Sequence, residues 1–214
     1  MPMDTLTKFF ILIVLSLFSF EPVQSQTRNF TSFTPQRNQV IRRYDTLRMG
    51  PCYNLDPSTV IGVVWRTWQV DMWVAVFKNN RKDQPVNEFD TVNFSEDTRF
   101  YFYRTSNSAD GTVIIWESKY EFDSELRAYL FKNGTVRKLG KIDVDLDDIS
   151  TDKISYPVSA IRIQMEQGDI MFTFDRHLIF RLSERYAPDE FYYVWDGISQ
   201  LIPVKKGIPG KPLW

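Results

Sequence analysis

The feature that most constrains this chain is a hydrophobic alternation with a period of two residues. Ile161, Ile163 and Met165 fall on one side of an extended backbone, and Arg162, Gln164 and Glu166 fall on the other. Gln167-Gly168 then turns the chain into Ile170 to Phe174, which predicts a β-hairpin. On a helix the same residues would scatter around the axis, so the pattern argues for strands.

The same period recurs from Pro57 onward, in a stretch dense in β-branched and aromatic side chains. From Trp68, the residues Trp68, Val70, Met72, Val74 and Val76 share one face, opposite Gln69, Asp71, Trp73, Ala75 and Phe77. Residues 99–105 and 112–121 alternate on either side of a loop of turn formers, Ser106 to Gly111. Arg127 to Phe131 and Thr135 to Ile142 flank Asn133-Gly134, a pair that tolerates the positive φ a type I′ turn needs. Residues 178–183 extend the pattern. Pro188, Asp189 and Glu190 resemble a helix start, yet Phe191 to Trp195 is a β-prone run and Asp196-Gly197 a turn pair. Strand, turn, strand is the reading adopted there.

Many short strands joined by hairpins predict an all-β fold. Its expected form is an antiparallel two-sheet sandwich, jelly-roll-like, with an up-and-down, lipocalin-like barrel as the alternative. The early Gly-x-Trp of lipocalins is not met, because Gly62 and Trp65 stand one residue too far apart. The organisation expected is a signal peptide over 1–25, a polar N-terminal leader over 26–57, a β-rich globular domain over 58–204 and an extended tail over 205–214.

Export is predicted from the first segment. Lys8 precedes an apolar run from Phe9 to Phe20, too short to span a bilayer, which Glu21 and Pro22 close. Val23 and Ser25 supply the small residues of a cleavage site before Gln26. No later run approaches a membrane span. The chain is thus expected to be secreted and extracellular, with Arg42-Arg43 as a candidate processing site.

Charge narrows the partners. Lys and Arg number 26 against 27 Asp and Glu, interspersed along the chain, which argues against nucleic acid. Cys52 is the only cysteine, so no intrachain disulfide can form. It is expected to be a buried thiol, with an intermolecular disulfide and a Cys52-linked homodimer as the alternative. Asn29, Asn93 and Asn133 each begin an Asn-x-Ser/Thr acceptor for N-glycosylation.

Candidate chemistry is sparse. Asp143, Asp145 and Asp147 offer oxygen ligands that suit Ca²⁺, but an EF-hand needs Gly and Glu where this chain has Asp148 and Ile154. Period two instead places Ile142, Val144 and Leu146 inward and the aspartates in water. No cofactor is expected, Ca²⁺ being the one candidate. His177 is the only histidine and is expected at the surface. Trp73 and Phe77, with Asp71 beside them, share an aromatic and polar face that is ordinary core packing if it is buried and that otherwise could stack on a sugar or line an apolar cavity. The function expected is a secreted, non-enzymatic recognition protein that binds a glycan or a protein partner through a sandwich face or its loops. A lipocalin-like carrier of a small apolar ligand is the alternative, and a secreted hydrolase comes third.

Overall fold

The computed structural model describes residues 27–38, 47–66, 71–78, 85–92, 97–119, 124–146, 157–180, 184–198 and 200–206. The signal peptide, Arg42-Arg43, Asn93, Asp147 and residues 207–214 of the tail lie outside them. Strands dominate. The first half holds β1 (Arg28–Asn29), β2 (Thr31–Phe33), β3 (Leu47–Asp56), β4 (Thr59–Arg66), β5 (Met72–Lys78), β6 (Asn87–Val92), β7 (Asp97–Arg104) and β8 (Thr112–Lys119). Then come β9 (Ser124–Lys132), β10 (Thr135–Ile142), β11 (Val144–Leu146), β12 (Ile161–Glu166) and β13 (Asp169–Phe174). The chain finishes with β14 (Leu178–Phe180), β15 (Glu184–Tyr186), β16 (Phe191–Trp195) and β17 (Leu201–Lys205).

The strands form four open antiparallel sheets, ordered β10-β9-β8-β7-β2, β3-β4-β5-β6, β1-β12-β13-β16-β17 and β11-β14-β15. None closes on itself, so the barrel alternative is corrected: the described edges do not meet in a ring. The all-β sandwich stands, and it is built twice over. Phe100, Phe102, Ile114, Trp116, Tyr129 and Phe131 of the first sheet pack with Ile61, Val63, Val74 and Val76 of the β3–β6 sheet. From the opposite face of that first sheet, Val113, Ile115, Leu126, Ala128 and Leu130 pack with Ile161, Ile163, Phe172, Phe174 and Phe191. The β10-β9-β8-β7-β2 sheet is therefore a central layer, covered on both sides.

This stacking explains which strands alternate. β12 has one buried face, so Ile161, Ile163 and Met165 are buried while Arg162 is exposed. β8 lies in the central layer, and Val113 through Ser118 are buried without a break. Each hairpin foreseen between residues 99 and 174 forms, and Asn133 and Gly134 adopt φ of 53° and 71° at the β9–β10 turn. The late strand–turn–strand also forms as β16 and β17.

A bulge between Lys138 and Gly140 bends β10 toward β17. Gly140 sits at φ 146°, and a Cβ there would fall 2.7 Å from the Leu201 backbone nitrogen. Only glycine lets the two layers approach so closely at this edge.

The polar leader over 26–57 is corrected: it contributes three strands. β1 pairs with β12 and β2 with β7. Between them Phe30 is buried in the core, and its N–H donates to Ile163 O at 2.9 Å. A polar anchor holds the segment. Arg28 Nε and Nη2 donate to the two oxygens of Asp110, each at 2.8 Å, and the Thr105 hydroxyl donates to Asp110 Oδ2 at 2.6 Å. Arginine and aspartate lie 82 residues apart in sequence, which is why local composition did not reveal the strand. β3 extends this correction to the far side of the molecule, where it forms the edge of the third layer. At the other end, β17 carries the globular part through Lys205, one residue into the expected tail.

Candidate functional site

Two clefts stand out, both where layers part at an edge of the central sheet. The first arises because one segment serves two sheets. Thr31, Ser32 and Phe33 pair with Arg104, Tyr103 and Phe102, and the ladder stops before Pro35, which has no N–H to donate. The chain then crosses to β3, where Arg37 bridges Tyr53, Asn38 N–H donates to Cys52 O (2.8 Å) and Gln36 O accepts from Asn54 N–H (3.0 Å).

Under this crossing lies a cleft of about 270 Å³, lined by Ser32, Phe33, Thr34, Pro35, Tyr53, Phe100, Tyr101 and Phe102. Its floor is aromatic. Tyr53 meets Phe102 at 5.1 Å between centroids and Phe100 at 6.0 Å, the latter edge-on, and Phe33 meets Phe102 at 6.1 Å. These separations are the attractive range for tilted rings, so the cluster holds its shape without a ligand. Ser32 and Thr34 are exposed, and the Arg104 guanidinium lies 4.1 Å over Phe33. The cleft thus combines aromatic surface with hydroxyls, and a cation rests against one of its rings.

Beside it, facing the opposite interlayer, Tyr101 donates its hydroxyl to Glu117 Oε2 at 2.7 Å. Glu117 is wholly buried, its Oε1 has no hydrogen-bond partner among the described residues, and Lys119 Nζ stands 3.8 Å from Oε2. Burial, then the Glu117 carboxylate, push the Tyr101 phenol far above its ordinary range. Tyr101 therefore serves as a neutral donor.

The second cleft, about 320 Å³, opens between the β9–β10 hairpin and the end of β16. Leu130, Lys132, Asn133, Thr135, Arg137 and Trp195 line it. Lys132, Asn133, Thr135 and Arg137 are exposed, whereas Trp195 is half-buried against the core and its Nε1 is buried with no acceptor among the described residues. Among the described residues, neither cleft is lined by a carboxylate, a histidine or a cysteine.

With this geometry in view, the chain was compared with protein-family models, curated proteins and solved structures. Nothing matched.

The residues nominated from sequence fall elsewhere. Phe77 is 1% exposed and packs with Val60, Val64, Ala75 and Cys52, with Trp73 half-buried against them. Of the two readings of Trp73 and Phe77, core packing is the one seen and the open aromatic face is not: β5 is buried on both sides from Val74 to Phe77. Asp71 precedes that strand, and none of the three lines either cleft. Asp143 and Asp145 are exposed to either side of the buried Val144, and Lys141 Nζ lies 3.3 Å from Asp143. Among the described residues no three His, Cys, Asp or Glu side chains gather as a metal site would require. His177 is exposed just before β14.

Cys52 is 4% exposed, and its Sγ would lie 2.4 Å from a Cβ added at Gly62. Burial, opposed by Arg37, pushes its thiol up to about 11. The exposed sulfur that an intermolecular disulfide requires is thus corrected to an interior one. Asn29 is exposed at the outer end of β1, and Asn133 is exposed at its turn.

The functional candidates that composition missed are Phe33, Tyr53, Phe100, Phe102 and Trp195. Phe100 and Phe102 do carry a signal, their period-two spacing on one face of residues 99–105. Phe33 and Tyr53 were obscured by the polar composition of the segment that holds them. Among the described residues no helix is long and apolar enough to cross a membrane.

Proposed function

We propose that this chain is a secreted, non-enzymatic recognition protein that binds a glycan in the aromatic cleft between β2, β3 and β7. The carrying observation is that cleft's composition, the rings of Phe33, Tyr53, Phe100 and Phe102 beneath the hydroxyls of Ser32 and Thr34. A pyranose has an apolar C–H face and a hydroxylated edge, and an aromatic floor with a polar rim complements both. Secretion rests on the apolar run from Phe9 to Phe20 and the small residues before Gln26. The described residues that line both clefts are aromatic, hydroxyl-bearing, apolar, amide or basic, a set that favours binding over hydrolysis. The filled interlayers, with Trp116, Tyr129, Phe172, Phe174 and Phe191 at 2% exposure or below, weigh against a lipocalin-like carrier.

The test is a glycan-array screen of the secreted protein, followed by titration of the best ligand against Phe33→Ala and Tyr53→Ala. Loss of one stacking ring should weaken binding by about tenfold. An array without a hit, or affinities unchanged in both variants, would sink the proposal. A protein ligand that fills the cleft instead would be revealed by the same variants losing a pulled-down partner while binding no sugar.

A further inference from the structure

We infer that the second cleft is the seat of the protein's own N-linked glycan, attached at Asn133 and packed on the Trp195 ring. The inference rests on the secreted reading above, because the sugar donor is met along that route. Asn133, Gly134 and Thr135 form one acceptor triplet, and both Asn133 and Thr135 line the cleft that Trp195 also lines. A sugar joined to Asn133 therefore begins at the cleft rather than at a remote tip.

The tip is also held in place. Lys78 Nζ, reaching from β5, donates to Gly134 O and to Thr59 Oγ1, both at 2.7 Å. Lys78 restrains the turn from the side of the β3–β6 sheet, while Asn133 and Thr135 border the cleft toward β16. Asn133 cannot swing far from Trp195 without breaking that clamp. Trp195 offers a half-buried ring at the cleft wall, a surface for the apolar face of a sugar, while its Nε1 is itself buried. Lys132 and Arg137 add donors for sugar hydroxyls at the wall. The volume lies at the small end for ligand sites, which suits the first sugars rather than a whole glycan.

The attachment chemistry balances with one co-reactant, a lipid-diphosphate-linked oligosaccharide. Asn133 Nδ2 forms a bond to sugar C1 and gives up one proton. The bond from C1 to the phosphate oxygen breaks, and the lipid diphosphate leaves with its electron pair. No oxidant or reductant enters.

The experiment uses the full chain expressed in a eukaryotic secretory host, as wild type, Asn133→Gln, Trp195→Ala, Trp195→Phe and the Asn133→Gln/Trp195→Ala double variant. Glycopeptide mass spectrometry reads occupancy, and thermal melts with acrylamide quenching read packing. The expected result is an occupied Asn133 whose removal lowers Tm by about 2–4 °C. That loss should vanish in the Trp195→Ala background. The emission component that Trp195→Phe removes should become more accessible to quencher in Asn133→Gln. A bare Asn133 beside a glycosylated Asn29 would overturn the inference and leave secretion standing, whereas failure of the chain to leave the cell would remove both. An equal Tm loss with and without Trp195 would also overturn it. Should Trp195→Ala not fold, unchanged quenching in Asn133→Gln alone is decisive against it.

Discussion

Replacing Asp110 by Asn tests whether the N-terminal strands are held by charge. The carboxylate accepts two hydrogen bonds from Arg28 at 2.8 Å and one from Thr105 at 2.6 Å, and Asp110 itself is 5% exposed. Hydrogen bonds to a charged group contribute about 1.5–3 kcal/mol when one partner is removed. Arg28, however, retains 36% side-chain exposure and can rehydrate, which brings its share toward the ~1 kcal/mol of an exposed pair. Asparagine still offers Thr105 an acceptor. The expected cost is therefore about 2 kcal/mol, or roughly 4–8 °C in Tm for a domain of this size. Urea denaturation at pH 7 measures it, and a cycle with Arg28→Ala should show a coupling of about 1 kcal/mol.

The pH dependence gives an independent check. Burial raises the Asp110 pKa, but the hydrogen bonds from Thr105 and Arg28 outweigh it and hold the carboxyl below its ordinary value. A depressed folded pKa means that the stabilisation is complete above about 3.9 and is lost as pH falls through the folded value. Wild type and variant should converge in acid. Amide exchange at Phe30, whose N–H donates to Ile163 O, should quicken in the variant as β1 loosens. A cost under about 0.5 kcal/mol, strict additivity with Arg28→Ala, or an undiminished gap in acid would refute the anchoring argument.

Gly140→Ala places a Cβ 2.7 Å from Leu201 N at φ 146° and should cost about 2–4 kcal/mol in chemical denaturation, whereas Gly168→Ala meets no neighbour and should cost less, through the strain of its φ of 95° alone. Tyr101→Phe removes the hydroxyl that donates to the buried Glu117 and should destabilise by about 2–3 kcal/mol, read by the same method. Native Cys52 should resist thiol reagents at pH 8 and react fully after unfolding. Because its folded pKa of about 11 exceeds the ordinary value, its contribution is complete at neutral pH and lost as pH rises toward 11. Gly62→Ala should be destabilising through its 2.4 Å approach to the Cys52 sulfur, and Cys52→Ala should recover part of that loss in calorimetry.

Much of the strand pattern was legible in the residues themselves. Ile161, Ile163 and Met165 alternate because β12 meets water on one face, and Asn133-Gly134 marks its turn because both residues accept positive φ. Neither property depends on distant neighbours. β8 shows where local reading weakens, since Ile114 and Trp116 are as buried as Val113 and Ile115. Its apolar run says that both faces are covered but not by what. The site was less legible still, because Phe33 and Tyr53 become neighbours only when the segment after β2 crosses to β3.

By itself, then, the sequence determined the backbone state: extended segments, their turns, and the residues that must leave water. These follow from side-chain period and backbone sterics, which act over a few residues. Tertiary structure alone decided that one sheet lies between two others, that Arg28 reaches Asp110, and that four rings gather at one edge and a tryptophan beside Asn133 at another. An apolar face demands cover without naming the strand that supplies it. Hydrophobic burial is nondirectional, so the partner is selected by the packing of the whole chain.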